Sequence, residues 1–136
     1  EARMLAGDNN LVRAARAVMA MGPRALIVKH GEYGATLFYG AGSKSQSAER
    51  TFRAPAMPLE EVVDPTGAGD SFAGGFFGYL ASQPQLTPGV FRRAMFYGSV
   101  MGSFAVERFG TERLQQLSRQ EIDDRFHVFR ELTHLD

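Results

Sequence analysis

The chain has 136 residues, the length of one ordinary domain, and its 15 Lys+Arg against 15 Asp+Glu leave a formal net charge of zero. That balance argues against a nucleic-acid binder, and a hydrophobic share of 44% with 11% aromatic residues argues against a disordered chain. The absence of cysteine excludes a disulfide framework, a zinc ribbon and a thiol nucleophile, and no apolar run approaches the roughly 18 residues of a membrane-spanning helix.

From Asp8 to Met21, Leu11, Ala14, Ala15, Val18 and Met21 recur at helical spacing, with Asp8 as the candidate N-cap and Gly22-Pro23 as the stop. Ala25–Val28 is a wholly apolar run that reads as a strand buried on both faces. His30–Gly34 turns the chain, and Ala35–Tyr39 reads as a second strand antiparallel to the first. Gly40–Arg50 is rich in Gly and Ser and reads as a loop, Thr51–Arg53 as a further strand, and Val62-Val63 as another short one after Pro55 and Pro58. Beyond residue 70, Phe72, Phe76 and Leu80 share one helical stripe. Gly74, Gly75 and Gly78 on that helix each cost about 1 kcal/mol against alanine, so another backbone is expected close by. Thr87-Pro88 opens a helix that is apolar on most faces, with Gly110 as its expected end. Thr111–Leu117 reads as a short helical turn. Ser118 and Glu121 form a capping box for a last helix carrying Ile122, Phe126, Phe129 and Leu132 on one face. There is no internal repeat and no linker that would split the chain.

Chemistry concentrates in Val62-Val63-Asp64-Pro65-Thr66-Gly67-Ala68-Gly69-Asp70, a tight glycine turn opening a helix. Small residues there let the N–H groups of a helix N-terminus converge on an anion, and a phosphate fits. No Gly-Lys-Ser/Thr ends the turn, the similar Gly40–Ser45 lacks P-loop spacing, and Phe72 stands where a dinucleotide fingerprint needs its third glycine. Asp70 follows the turn directly. A carboxylate beside anion-binding amides can take the proton of an attacking hydroxyl. It can equally be a plain capping carboxylate, and the turn by itself leaves both readings open.

Asp64–Gly75 resembles the second signature of the ribokinase/PfkB family of carbohydrate kinases: Asp, a variable residue, Thr, Gly-Ala-Gly-Asp, any residue, Phe, any residue, Gly-Gly. Every defined position is matched. Glu1–Leu5 resembles the segment that opens with the glutamate of the family's Asn-x-x-Glu motif, and Val28–Ala35 resembles the strand and turn that border the nucleotide. The resemblance implies an α/β fold, the C-terminal portion of a ribokinase-like three-layer α/β/α sandwich. Residues 1–136 would then be the nucleotide-binding and catalytic part of a single kinase domain, cut from a longer chain that does not begin at Glu1. It implies transfer of the γ-phosphoryl group of ATP, with Mg²⁺, to a hydroxyl of a sugar or nucleoside. By the same match Asp70 is the general base, and Gly67, Ala68 and Gly69 form the anion hole with Thr66 beside them. Glu1 organises Mg²⁺ through water, and Asp64 with Thr66 holds a monovalent cation such as K⁺. Gly31 borders the nucleotide. Lys29 stands where many members carry Thr or Ser, and either reaches a phosphate or extends into solvent. Tyr97, Gly98 and Met101 are candidates for the floor of the adenine pocket. His30 reads as a solvated loop histidine, and His127 and His134 have no partners at metal spacing. The expected setting is cytoplasmic, with a small-molecule acceptor, no nucleic acid, no membrane and a homo-oligomer left open. The rival from another class is a non-catalytic nucleotide-binding or assembly fragment, since the residues that read the acceptor lie outside these 136.

Overall fold

The computed structural model describes residues 1–40 and 50–134. Most of the loop expected over Gly40–Arg50 therefore lies outside the described residues. The chain divides into two compact units, Glu1–His30 with Ala35–Arg53, and Gly31–Gly34 with Ala54–Asp136.

The first unit opens with α1 (Ala2–Ala6) and α2 (Leu11–Ala20). Ala-Arg-Met-Leu-Ala is a run of good helix formers, and Gly7, at φ 65°, closes α1 by donating its N–H to Arg3 and Met4 carbonyls. The cap of α2 is Asn10, not Asp8: the Asn10 side chain accepts from the Val12 and Arg13 N–H groups at 3.0 and 3.1 Å. Asp8 is engaged otherwise, accepting from the Asn10 N–H at 2.7 Å and pairing with Arg13 Nε at 2.7 Å. Ala14, Ala15, Val18 and Met19 form the buried stripe of α2. A sheet follows in the order β1 (Ala25–Lys29), β2 (Ala35–Tyr39), β3 (Arg50–Ala54). β1 and β2 run antiparallel with Ile27 opposite Leu37 and Lys29 opposite Ala35. Every residue of β2 is buried, whereas β1 is half-buried with Lys29 exposed. The expectation of a strand buried on both faces thus fits the neighbouring strand: β2 is flanked on both edges, while β1 ends the described sheet. His30 is half-buried, with its Nε2 3.0 Å from Thr36 Oγ1 on β2.

The second unit carries a 3₁₀ turn (Gly31–Tyr33) and four helices, α3 (Ala68–Ala81), α4 (Pro88–Ala105), α5 (Glu112–Gln115) and α6 (Arg119–Thr133). Thr87 caps α4 through Val90 N–H with Pro88 in the first turn, and Ser118 and Glu121 complete the capping box of α6. α4 ends at Ala105, before Gly110, because the Glu107 N–H closes back onto Phe104 at 3.2 Å; Gly110, at φ 59°, belongs to the following turn. Val62-Val63 is not a strand. The two residues are 56% and 43% exposed, and the consecutive N–H groups of Val63 and Asp64 converge on one carbonyl, that of Val106, at 2.9 and 3.3 Å. A strand ladder would send alternate groups to a neighbouring chain instead.

α3 and α4 pack with their backbones nearly touching. A Cβ on Gly75 would meet the Tyr97 carbonyl oxygen at 2.5 Å, one on Gly98 the Phe72 ring at 3.0 Å, and one on Gly102 the Ala68 carbonyl oxygen at 3.3 Å. Of the three α3 glycines expected to sit against a backbone only Gly75 does, since Gly74 and Gly78 face open space. Val100, Phe104 and Phe129 form the buried centre between α4 and α6, with Phe96, Leu114, Leu117, Ile122 and Phe126 packed around it. Leu132, expected on the same face of α6, is 49% exposed.

Candidate functional site

The turn before α3 is built from local chemistry. The Asp64 side chain accepts from the Thr66 N–H at 2.9 Å, folding Asp64-Pro65-Thr66 into a side-chain-closed turn. The donors from Thr66, backbone first and hydroxyl second, hold the Asp64 carboxyl below its ordinary value. Gly67 then takes φ 80°, ψ −5°, a left-handed conformation that a side chain disfavours by about 1–2 kcal/mol, and serves as the N-cap of α3. A helix leaves its first four N–H groups without intrahelical acceptors, here those of Gly67, Ala68, Gly69 and Asp70. The Ala68 N–H donates to the Pro65 carbonyl at 3.2 Å, and the first intrahelical bond runs from Ser71 to Gly67 at 2.9 Å. Of the three residues expected to form an anion hole, Ala68 thus has its donor turned back into the turn. The N–H groups of Gly67, Gly69 and Asp70 make no such bond to a described backbone carbonyl.

Asp70 is an exposed residue in the first turn of α3. Asp64, Thr66, Gly67, Ala68, Gly69 and Asp70 are brought together as one continuous turn. Two contacts from α4 hold it. The Val106 carbonyl, at the end of α4, takes the Val63 and Asp64 N–H groups, and Gly102 lets the Ala68 backbone approach to near contact. Nothing in the sequence reading had singled out Val106 or Gly102. A signal existed in the spacing of Gly98 and Gly102, one helical turn apart on α4.

The other expected site residues lie elsewhere in the chain. Gly31 begins the 3₁₀ turn at φ 58°. Glu1 is the exposed residue preceding α1, with no side-chain capping bond, and Lys29 is exposed at the end of β1. Tyr97 is sandwiched between Tyr79 and Phe126, each ring 4.6 Å away and stacked, and Gly98 is covered by the Phe72 ring. Met101 lies beside Gly75. A shallow polar pocket lined by Glu61, Val63, Glu107, Arg108, Arg113 and Gln116 adjoins the start of the turn but contains none of Thr66–Asp70.

The implied ligands can be tested against these groups. Free amides at a glycine-capped helix N-terminus suit a phosphate. The Asp64 carboxylate, kept ionised and fixed by Thr66, suits a hard monovalent cation. Among the described residues no three His, Asp or Glu side chains converge on a metal-sized space. Mg²⁺ commonly keeps its waters and takes one or two carboxylates plus substrate phosphates, which an exposed carboxylate such as Glu1 satisfies.

Residues 1–117 match the pfkB family carbohydrate kinase. The chain belongs to this family. Over 87 residues it is 39% identical to the cytidine kinase of Thermococcus kodakarensis, covering 62% of this chain and 28% of that protein. Among solved structures, fructokinase from Vibrio cholerae, bound to fructose, ADP and calcium, superposes with a TM-score of 0.76 at 17% identity, over 93% of this chain and 38% of that one. Aminoimidazole riboside kinase from Salmonella enterica, complexed with aminoimidazole riboside and an ATP analogue, gives 0.72 at 25% identity, over 91% and 38%. The pfkB-family chain therefore has the expected ribokinase-type α/β fold, and it spans less than two-fifths of the length of each of these proteins. Among the described residues no helix is long and apolar enough to cross a membrane.

Proposed function

We propose that the intact protein transfers the γ-phosphoryl group of ATP to a hydroxyl of a nucleoside, with Asp70 as general base. The observation that carries this is the turn itself: a complete family signature folded as a left-handed glycine cap, with Asp70 one residue beyond the Gly69 amide. In the reaction the Asp70 carboxylate accepts the acceptor's hydroxyl proton while that oxygen attacks the γ-phosphorus. The bond from the γ-phosphorus to the β-bridging oxygen breaks, and ADP leaves with the electron pair. The Gly67, Gly69 and Asp70 amides offset the charge gathering on the transferring group, and being fixed in the helix they need no rearrangement to do so. Bound Mg²⁺, for which Glu1 is the proposed protein carboxylate through water, would neutralise phosphate charge. Asp64 is proposed to hold K⁺, and Lys29 to meet a nucleotide phosphate.

A nucleoside is favoured over a sugar because the 39% identical relative is a cytidine kinase and the riboside kinase matches at 25%, whereas the fructokinase at 17% supports the fold alone. The test is ATP-dependent transfer by the intact protein across cytidine, adenosine, other ribosides and fructose, with Asp70→Asn as control. Transfer to a riboside that is lost in Asp70→Asn supports the reading. ADP binding with no transfer to any acceptor replaces it with a non-catalytic nucleotide-binding module. The 136 residues expressed alone are expected to show no transfer, because positioning the acceptor supplies much of phosphoryl-transfer catalysis.

A further inference from the structure

We propose that Glu107 is a positioning residue for the phosphate-binding turn, clamped by Arg113 and Arg125 so as to fix the Val106 carbonyl on which the turn hangs. The inference rests on the functional reading above for its kinetic consequence, but its structural half does not.

Each Glu107 carboxylate oxygen is taken by a different arginine. Oε2 lies 2.8 Å from Arg113 Nε on α5, and Oε1 lies 2.6 Å from an Arg125 terminal nitrogen on α6. Both guanidiniums are held in turn. Arg113 reaches Glu121 Oε1 at 2.6 Å, and Arg125 donates to Ser103 Oγ at 3.2 Å. Both also stand over the ring of Phe104, at 4.9 and 3.5 Å from its centroid, and Phe104 is part of the buried centre of the unit. The three clamp side chains are only 20–24% exposed, so their attraction is screened less than that of a surface pair.

The link to the site is a single peptide plane. The carbonyl that accepts the Val63 and Asp64 N–H groups belongs to the Val106–Glu107 peptide, and that unit is rigid. A glutamate gripped at both oxygens restrains its own Cα, and the Glu107 N–H, bonded to the Phe104 carbonyl at 3.2 Å, lies in the same plane, so the two together set its tilt and the direction of the Val106 oxygen. Asp64 then carries the constraint onward, because its side chain closes the turn on Thr66 directly before the Gly67 cap. An ion cluster serving only to tie α5 and α6 to α4 would have no influence on Asp64.

The test compares Glu107→Ala, Glu107→Gln and a stability control, Ile122→Val, in the intact protein. Ile122, on α6, packs on the centre formed by Val100, Phe104 and Phe129 and is no member of the Glu107 clamp. Two readouts are taken well below the melting temperature: hydrogen exchange at the Val63 and Asp64 amides, and kcat and KM for ATP-dependent transfer. The expected result is exchange at both amides accelerated at least about tenfold in Glu107→Ala, with kcat lowered about 10–100-fold, the scale of a small misplacement relayed from outside the chemistry. ATP KM should change less than kcat. Glu107→Gln, which keeps one acceptor oxygen, should fall between and keeps the test open should the alanine variant fail to fold. Ile122→Val should lower the melting temperature and leave both readouts as in wild type. Unchanged exchange in the Glu107 variants overturns the proposal, as does faster exchange with wild-type kcat, or an equal kcat loss in Ile122→Val. If the wild-type protein transfers no phosphate, the functional reading fails by itself, and exchange alone then upholds or overturns the coupling.

Discussion

Replacing Gly75 with alanine adds one methyl group at the closest approach of α3 and α4. The new Cβ would lie 2.5 Å from the Tyr97 carbonyl oxygen, 2.9 Å from the Tyr97 carbonyl carbon and 2.7 Å from Met101 Cγ. Met101 can swing aside, but the Tyr97 atoms are helix backbone and cannot. Comfortable contact needs about 3.5 Å, so the helices must part by about 1 Å at this crossing. That loosens Phe72 against Gly98 and Ala68 against Gly102, successive contacts further along the same crossing. Overpacking costs about 1–3 kcal/mol, and a clash with immobile backbone falls in the upper part of that range, about 2–3 kcal/mol, from which the better helix propensity of alanine returns about 1 kcal/mol. The net expectation is a loss of about 1–2 kcal/mol. Gly74→Ala is the internal control: the same helix and the same added methyl, but no atom within 4 Å, so it should gain about 0.5–1 kcal/mol. Urea unfolding of wild type and both variants in the intact protein reads the two signs as opposite shifts in midpoint at constant m-value. A Gly75→Ala variant as stable as wild type, or a Gly74→Ala variant destabilised to the same degree, would refute the close-packing argument.

Asp70→Asn should leave the fold and ADP affinity in place while lowering kcat about 10²–10⁴-fold in steady-state assays, the range for a positioned base. Gly69→Val puts a branched side chain beside two of the free amides, and calorimetry should find ADP bound at least tenfold more weakly, about 1.4 kcal/mol. The Glu121 carboxyl is lowered from 4.5 to about 2, first by the Ser118 N–H and then by Arg113 and the Ser118 hydroxyl. Because its folded-state value is depressed, its stabilisation is complete above about pH 4.5 and is lost as pH falls toward 2. The melting-temperature gap between wild type and Glu121→Gln should accordingly be widest near neutrality and close at about pH 2; a gap independent of pH would count against it.

What could be read without coordinates was local. The capping box of Ser118 and Glu121, the Thr87-Pro88 start of α4 and the glycine turn at Asp64–Asp70 are each decided by residues within a few positions of one another, where side-chain chemistry leaves few outcomes. Expectations failed where a distant or competing partner decides. Val62-Val63 has the composition of a strand, but its fate depends on the Val106 carbonyl at the far end of α4. Asp8 and Asn10 are comparable caps by type, and Arg13, by pairing with Asp8, leaves the cap to Asn10. Three glycines on one helix look alike in sequence, and only the crossing of α4 distinguishes Gly75 from Gly74 and Gly78.

The same division runs through the candidate site. Asp70 and the small residues before it are recognisable because the chemistry proposed for them requires particular residue types: a carboxylate, and amides with no bulk around them. Their supports have no such requirement. Val106 acts through a backbone carbonyl that any residue would supply, and Gly102 through the mere lack of a side chain against the Ala68 backbone. Both supports come from the last turns of α4, so the turn is carried by one helix end, with its N-terminal side hung from Val106 and its C-terminal side seated on Gly102. Rotation of the Val106–Glu107 peptide would therefore move the Asp64 side of the turn against a fixed Ala68, changing the direction of the Gly67 amide relative to Gly69 and Asp70. In the proposed reaction, whose barrier depends on where fixed donors point, that geometry would make the end of α4 as consequential as the residues proposed to meet the phosphate.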